Sequence, residues 1–190
     1  DAAGILYEIH DTNNSNNEPS IEELQVYPLV IWFTGDEWGG FAGPGSTGEA
    51  ALASYIDFGG YLLLSSQDYL YDFGLTPFGQ NYLGIGSFES DVNQTSVTGE
   101  NMFENVGSVN LSYPFINYSD EVNASQTAQL AFSGSEGNVG TQLDGEHGGG
   151  AVFLGFPIEA MPDAAQQLLI GNVLAWSGGG SEPCPADCDN

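Results

Sequence analysis

Lysine and arginine are both missing from these 190 residues, and 26 Asp plus Glu leave a formal net charge of −26 at pH 7. Nucleic-acid affinity rests on cations that displace counterions from phosphates, so nucleic acid is excluded as a partner. An anionic membrane repels the chain for the same reason. Ordinary salt bridges are also lost, apart from those of a protonated histidine or the α-amino group. Surface pairs contribute only about 0–1 kcal/mol each, so burial can compensate. Lysine Schiff-base chemistry and arginine anchoring of phosphates or carboxylates are likewise ruled out. The charge favours cationic partners, divalent metals such as Ca²⁺, or salt that screens the self-repulsion. A saline or protease-rich exterior accounts for the same composition, since no trypsin site is present.

Cysteine is nearly absent too: Cys184 and Cys188 both fall in the last seven residues. A C-x-x-x-C pair in a Pro-rich tail reads as a small disulfide loop, and less as zinc, with no His beside it. No apolar run reaches transmembrane length, and no signal peptide is seen. What is present argues against disorder: 41% of residues are hydrophobic, 12% aromatic and only 14% charged. Five N-x-S/T sequons begin at Asn13, Asn93, Asn110, Asn117 and Asn123. Sequons matter only in an exported protein, where they mark exposed loops, so the expected location is extracellular or at the cell surface.

Along the chain, Tyr27–Thr34 is a continuous apolar run ending in Thr-Gly-Asp, predicted to be a strand buried on both faces. A Gly-rich loop over 39–48 ends in Ser46-Thr-Gly-Glu49, an N-cap signal for a helix carrying Ala50, Leu52, Ala53 and Ile56. Gly59-Gly60 stops it, and Tyr61–Ser65 is the next buried strand, completing a βαβ unit. Residues 67–84 read as short helical pieces around Pro77. Residues 87–146, rich in Ser, Thr, Asn and Gly, read as short strands and long loops, best over Thr127–Phe132. Ala151–Phe156 is a third buried strand. A last helix follows Pro162-Asp163, with Ala164, Leu168, Leu169, Val173, Leu174 and Trp176 on one side. The expected division is a domain over 1–177 and a Gly/Pro/Cys linker tail over 178–190. Ile5–Ile9 reads as a strand entered from the last turn of a helix, so a preceding strand and most of that helix are expected to be missing.

Several phrases resemble a domain of bacterial secreted multidomain proteins, often C-terminal to extracellular peptidases, in the class I glutamine amidotransferase-like (flavodoxin-like) group. They are VIWFTGD (30–36), ALASYIDFGGYLLLSSQDYLYD (51–72), NYLGI (81–85), SDVNQTSVTG (90–99), YPFINYSD (113–120) and VFLGFPIEAMPD (152–163). The resemblance implies an α/β fold with a mostly parallel sheet flanked by helices, and a β/loop-rich insertion around 87–146. The tail Cys184–Asn190 resembles the start of a dockerin-type calcium loop, with Asp187 and Asp189 at its first two ligand positions; the sequence stops before the third.

Catalytic members of the group carry a Cys nucleophile in a tight strand-to-helix turn and a late His-Pro-Glu. By resemblance the turn falls at Ser65-Ser66-Gln67-Asp68, without Cys or a G-x-S-x-G elbow. Pro157 stands at the His position, and only Glu159 matches. The group thus implies the fold without its chemistry. A separate cluster of His10, Asp36 and Ser66 is conceivable, because strand ends converge on the ligand-binding face of α/β sheets. The blander reading makes His10 a loop residue and Ser66 a helix cap; His147 reads as a turn residue. Asp36, Glu37, Asp68 and Asp72 form a candidate Ca²⁺ or Mg²⁺ cluster, against a solvated acidic rim. Trp32, Trp38, Tyr69, Tyr71 and Phe73 can stack a sugar ring, or belong to the core. The expectation is a non-catalytic extracellular structural or interaction domain, accessory to a secreted protein or part of a surface assembly or filament. Its expected partners are other domains of the parent protein or copies of itself, with possible strand donation at an open sheet position. The competing readings are a secreted hydrolase at the strand ends, or a calcium- or glycan-binding module.

Overall fold

The computed structural model describes residues 6–13, 15 and 17–178. In chain order, α1 (Ile21–Leu24) precedes β1 (Leu29–Phe33), α2 (Ser46–Asp57) and β2 (Tyr61–Ser65). Two short helices follow, α3 (Tyr69–Phe73) and α4 (Pro77–Asn81). The middle of the chain forms β3 (Ile85–Glu89), β4 (Ser96–Gly99), β5 (Ser108–Asn110), β6 (Glu121–Ala124), β7 (Gln129–Gly134) and β8 (Gly137–Asp144). The chain closes with β9 (Gly150–Leu154) and α5 (Asp163–Trp176).

Seven strands make one sheet in the order β1-β2-β9-β8-β7-β4-β5, and β3 pairs with β6 in a second sheet of two. β1 with β2 and β2 with β9 are parallel, whereas β9-β8, β8-β7, β7-β4 and β4-β5 are all antiparallel. The mostly parallel, flavodoxin-like sheet expected from the sequence is therefore corrected to a mixed sheet. The cause is connection length. β7 and β8 are joined through Ser135-Glu136, and β8 and β9 through 145–149, and such short links allow only antiparallel neighbours. Region 87–146 is thus no insertion beside the sheet; it supplies four of the seven strands. At the β8–β9 turn, a Cβ on Gly149 would lie 2.4 Å from the Gly60 carbonyl oxygen, so only glycine lets the turn close against the end of α2.

Alternation along β2 and β9 splits the core between the two sheet faces. Leu63, Val152 and Leu154 pack with Phe132, Phe156 and the inner side of α5, while Leu62, Leu64, Ala151 and Phe153 pack with Leu52, Tyr55 and Ile56 of α2. On α5 the buried residues are Ala165, Leu169 and Val173; Leu168, expected on that side, is exposed.

β1 corrects another expectation. It is the end strand of the sheet, and Phe33 is 62% exposed, with Ile31 also open to solvent. Val30 and Trp32 pack on the core from one face, but on the other only Leu29 does, leaving Ile31 and Phe33 to solvent. The strand expected at Ile5–Ile9 is likewise not formed over its described part: Leu6–Ile9 is irregular and exposed. The N-cap signal at Ser46 is replaced by a distant side chain. Gly45 is the N-cap, and its amide and that of Gly48 donate to the Glu18 carboxylate, the latter at 2.7 Å. An anion at a helix N-terminus satisfies amides that otherwise lack partners. The tail with Cys184, Cys188, Asp187 and Asp189 lies outside the described residues, as does Asp1–Gly4. Among the described residues no helix is long and apolar enough to cross a membrane.

Candidate functional site

The C-terminal ends of β1, β2 and β9 open onto one side of the sheet, where α/β folds bind ligands. Three turns leave there: Thr34–Trp38 after β1, Ser66–Asp68 after β2, and Gly155–Glu159 after β9. A cleft of about 520 Å³ lies at the first two. Asp36 and Trp38 enter it from the first turn, Gln67 and Asp68 from the second, and Tyr71 from α3. Asp91 and the loop residues Phe115, Ile116 and Tyr118 form its far wall.

Each wall has an identifiable support. Asp72 accepts hydrogen bonds from the amides of Gly39 (3.0 Å), Gly40 (2.7 Å) and Ala42 (3.2 Å), so it fixes the loop that follows Trp38. Gln67 is buried, and its side-chain amide ties the far wall to the turn after β2. It donates to the Ile116 carbonyl and accepts from the Tyr118 amide, both at 3.1 Å. Asp91 adopts φ +60°, and its amide donates to Oδ1 of Asp120 at 3.1 Å. Asp120 is wholly buried, and its other oxygen finds no hydrogen-bond partner among the described residues.

That burial sets the electrostatics. Desolvation pushes the Asp120 carboxyl up to about 8, opposed by the Asp91 amide and reinforced by the charges of Asp91 and Asp68. Asp68 is pushed up to about 6, first by burial, against a hydrogen bond from Gln67 and with Asp91 and Asp72 adding to the rise. Behind the cleft, burial also raises Glu159, whose Oε2 is buried without a partner among the described residues. The resemblance matches Glu159 to the acid of a His-Pro-Glu, and Pro157 at the His position gives it nothing to orient.

The nucleophile candidates are consumed by structure. The Ser65 hydroxyl donates to the Phe156 carbonyl at 3.0 Å and accepts from the Ile158 amide at 2.8 Å. The Ser66 hydroxyl donates to the Ala42 carbonyl at 2.7 Å and accepts from the amides of Asp68 and Tyr69. The turn has no positive φ of the kind a nucleophile elbow carries. His10 is exposed and donates to the Asn17 carbonyl at 2.8 Å. Among the described residues, no hydrogen bond joins any two of His10, Asp36 and Ser66. His147 is exposed in the β8–β9 turn.

The four acidic candidates for metal are divided in the same way. Asp36 and Asp68 line the cleft, Asp72 holds three amides, and Glu37 donates its amide to the Thr34 carbonyl at 3.1 Å. Among the described residues, no group of three or more His, Cys, Asp or Glu could hold a metal ion. Of the sugar-stacking candidates, Trp38 (68% exposed) and Tyr71 (61%) present their rings at the cleft. Tyr69 is buried with its hydroxyl donating to Glu49, and Trp32 and Phe73 pack on the core. Asn13, Asn93 and Asn110 are exposed, the first two with their amides donating to the nearby Asp11 and Asp91 carbonyls, whereas Asn117 and Asn123 are half-buried in wider hydrogen-bond networks. Sequence reasoning missed Asp91, Asp120 and the 115–118 wall. The one signal for the wall was Phe115-Ile116-Asn117-Tyr118, an apolar run too irregular for a strand and too polar in its surroundings for a core.

No family model and no curated protein matches the chain. Solved structures do. A catalytic mutant of Gan42B, a GH42 β-galactosidase from G. stearothermophilus, is 14% identical over 81% of this chain and 22% of its own, with a TM-score of 0.59. An exo-β-1,4-mannosidase from an Opitutaceae bacterium is 16% identical over 86% of this chain and 26% of its own, with a TM-score of 0.51. A putative ThuA-like protein from Bacteroides uniformis is 15% identical over 86% of this chain and 74% of its own, with a TM-score of 0.52. The chain thus spans about a quarter of the glycosidases it matches. The likeness to the ThuA-like protein supports the amidotransferase-like resemblance at the level of the fold, without the parallel sheet it implied. The expectation of a purely structural domain is corrected on this point: the chain shares its fold with parts of glycosidases as well as with a ThuA-like protein.

Proposed function

We propose that this domain recognises a saccharide in the cleft at the ends of β1 and β2, as one domain of a larger carbohydrate-active protein in an extracellular setting. One observation carries the reading. Trp38 and Tyr71, together with Ile116 (67% exposed) and Tyr118 (42%), stand open around a floor of carboxyl groups. Exposed large apolar residues gathered at one place mark an interaction site, whereas scattered ones need no explanation. A sugar has C–H faces that pack on aromatic rings and hydroxyls that donate to carboxyl oxygens, so apolar walls with a few polar groups suit it. The span of about a quarter of the glycosidases supports a role inside a larger chain. The exposed sequons at Asn13, Asn93 and Asn110 support the extracellular setting. The proposal is one of saccharide recognition.

Titration of the protein with β-1,4-linked mannose and galactose oligosaccharides, followed by the NMR signal of the Trp38 indole N–H, tests it. Saturable shifts at Trp38, Tyr71 and Tyr118 are expected, and Trp38→Ala should weaken binding about tenfold or more with an unchanged Tm. Absence of saturable binding by every saccharide tried, or binding indifferent to Trp38→Ala, rejects it.

A further inference from the structure

The hydrogen-bonding inventory of the cleft is lopsided. Asp36, Asp68 and Asp91 offer carboxyl acceptors, and Phe115 and Ile116 have no polar side-chain atoms. Gln67 has committed its amide to the Ile116 and Tyr118 backbone and to the Asp68 carboxyl. The remaining side-chain donors are the Trp38 indole N–H and the Tyr71 and Tyr118 hydroxyls. Such a site calls for a ligand rich in donors and poor in acceptors.

Charge points the same way. The chain has no Lys or Arg with which to neutralise these carboxyls from within. Low-dielectric walls focus the field of a strongly acidic protein into its clefts. A uronic or sulfated sugar is therefore repelled, and a ligand cation is drawn in. The aromatic faces add to this, because a cation over Trp or Tyr is attracted by the ring quadrupole.

We infer that the saccharide taken by this cleft is an amino sugar with a free ammonium group, held between the Asp36, Asp68 and Asp91 carboxyls and the rings of Trp38, Tyr71 and Tyr118. The ammonium supplies three donors and no acceptor. Its charge also favours the ionised form of a carboxyl that burial otherwise disfavours, so binding carries Asp68 back toward ionisation. The inference rests on the saccharide reading above and adds the chemical class.

Three probes separate the two. They are a β-1,4-linked glucosamine trisaccharide, its fully N-acetylated form, and propane-1,3-diamine, each titrated into the full chain by calorimetry and NMR at low salt. The amine trisaccharide is expected to bind about tenfold more tightly than the N-acetylated one. Its shifts should centre on Trp38, Tyr71 and Tyr118, and the advantage should shrink in high salt. Asp68→Asn should remove most of the advantage without weakening the N-acetylated form, whereas Glu104→Gln, away from the cleft, should change neither. Equal affinity for both trisaccharides overturns the inference and leaves the saccharide reading standing. A diamine that matches the trisaccharide, or a loss of equal size from Glu104→Gln, shows that charge alone is read, and overturns it as well. If no saccharide binds, the earlier reading falls and the inference with it.

Discussion

Asp120 is the residue whose chemistry departs furthest from its surface counterparts. In the unfolded chain it titrates near the ordinary carboxylate value of about 4; folded, it is pushed up to about 8. Between those pH values the native state holds a proton that the unfolded chain has released. Stability therefore falls as pH rises through this window and is fullest below it. Asp68 adds to the fall over a narrower range, ending at about 6. Thermal unfolding should show Tm declining steadily from pH 5 to pH 8. Asp120→Asn should flatten the part above pH 6, because the amide carries no charge to bury. At pH 8 the variant should be the more stable by about 1–2 kcal/mol, the gain being reduced by an amide N–H with no acceptor. A wild-type Tm independent of pH over that range rejects the buried acid.

At the scale of elements, the cleft depends on Gln67 tying the loop before β6 to the turn after β2. Gln67→Ala removes one donor and one acceptor that pair with backbone, at a cost of about 1–2 kcal/mol. Hydrogen exchange at the Tyr118 amide should accelerate about tenfold, while amides within β2 and β9 keep their protection. Equal protection of Tyr118 in both proteins rejects the clamp. The elements legible in the sequence were those with strong local patterns. The apolar runs at 29–33, 61–65 and 151–154 and the helices they alternate with all formed, because a continuous apolar run and a helical period are signals carried by the local sequence alone. In the antiparallel half the strands were legible, best over Thr127–Phe132 where β7 formed, but not their pairing, which is decided elsewhere. Gln94 shows why: its buried amide donates to the carbonyls of Asp120 and Glu136 and accepts from the Glu136 amide, joining three segments that nothing in its local sequence connects. The site divides along the same line. Asp36, Trp38, Asp68 and Tyr71 follow recognisable strands and were found, whereas Asp91, Asp120 and Tyr118 arrive through tertiary pairing and were not.

For the molecule as a whole, a charge of −26 without a single Lys or Arg means that the compact state works against its own repulsion. Raising salt from about 0.01 M to 1 M shortens the screening length from about 30 Å to about 3 Å. Tm should rise by several degrees over that range, since about 1 kcal/mol corresponds to roughly 2–4 °C in a chain of this size. A Tm that falls with added sodium chloride rejects net repulsion as the governing term. The switch of the sheet from parallel to antiparallel at β9 also has a kinetic meaning. β7, β8 and β9 are neighbours along the chain and can zip as successive hairpins, but β2 meets β9 only after everything between them has been gathered in. Loop-closure entropy makes that docking the slow step. The mouth of the cleft, built where β2 ends, is then the last part of the molecule to take shape during folding.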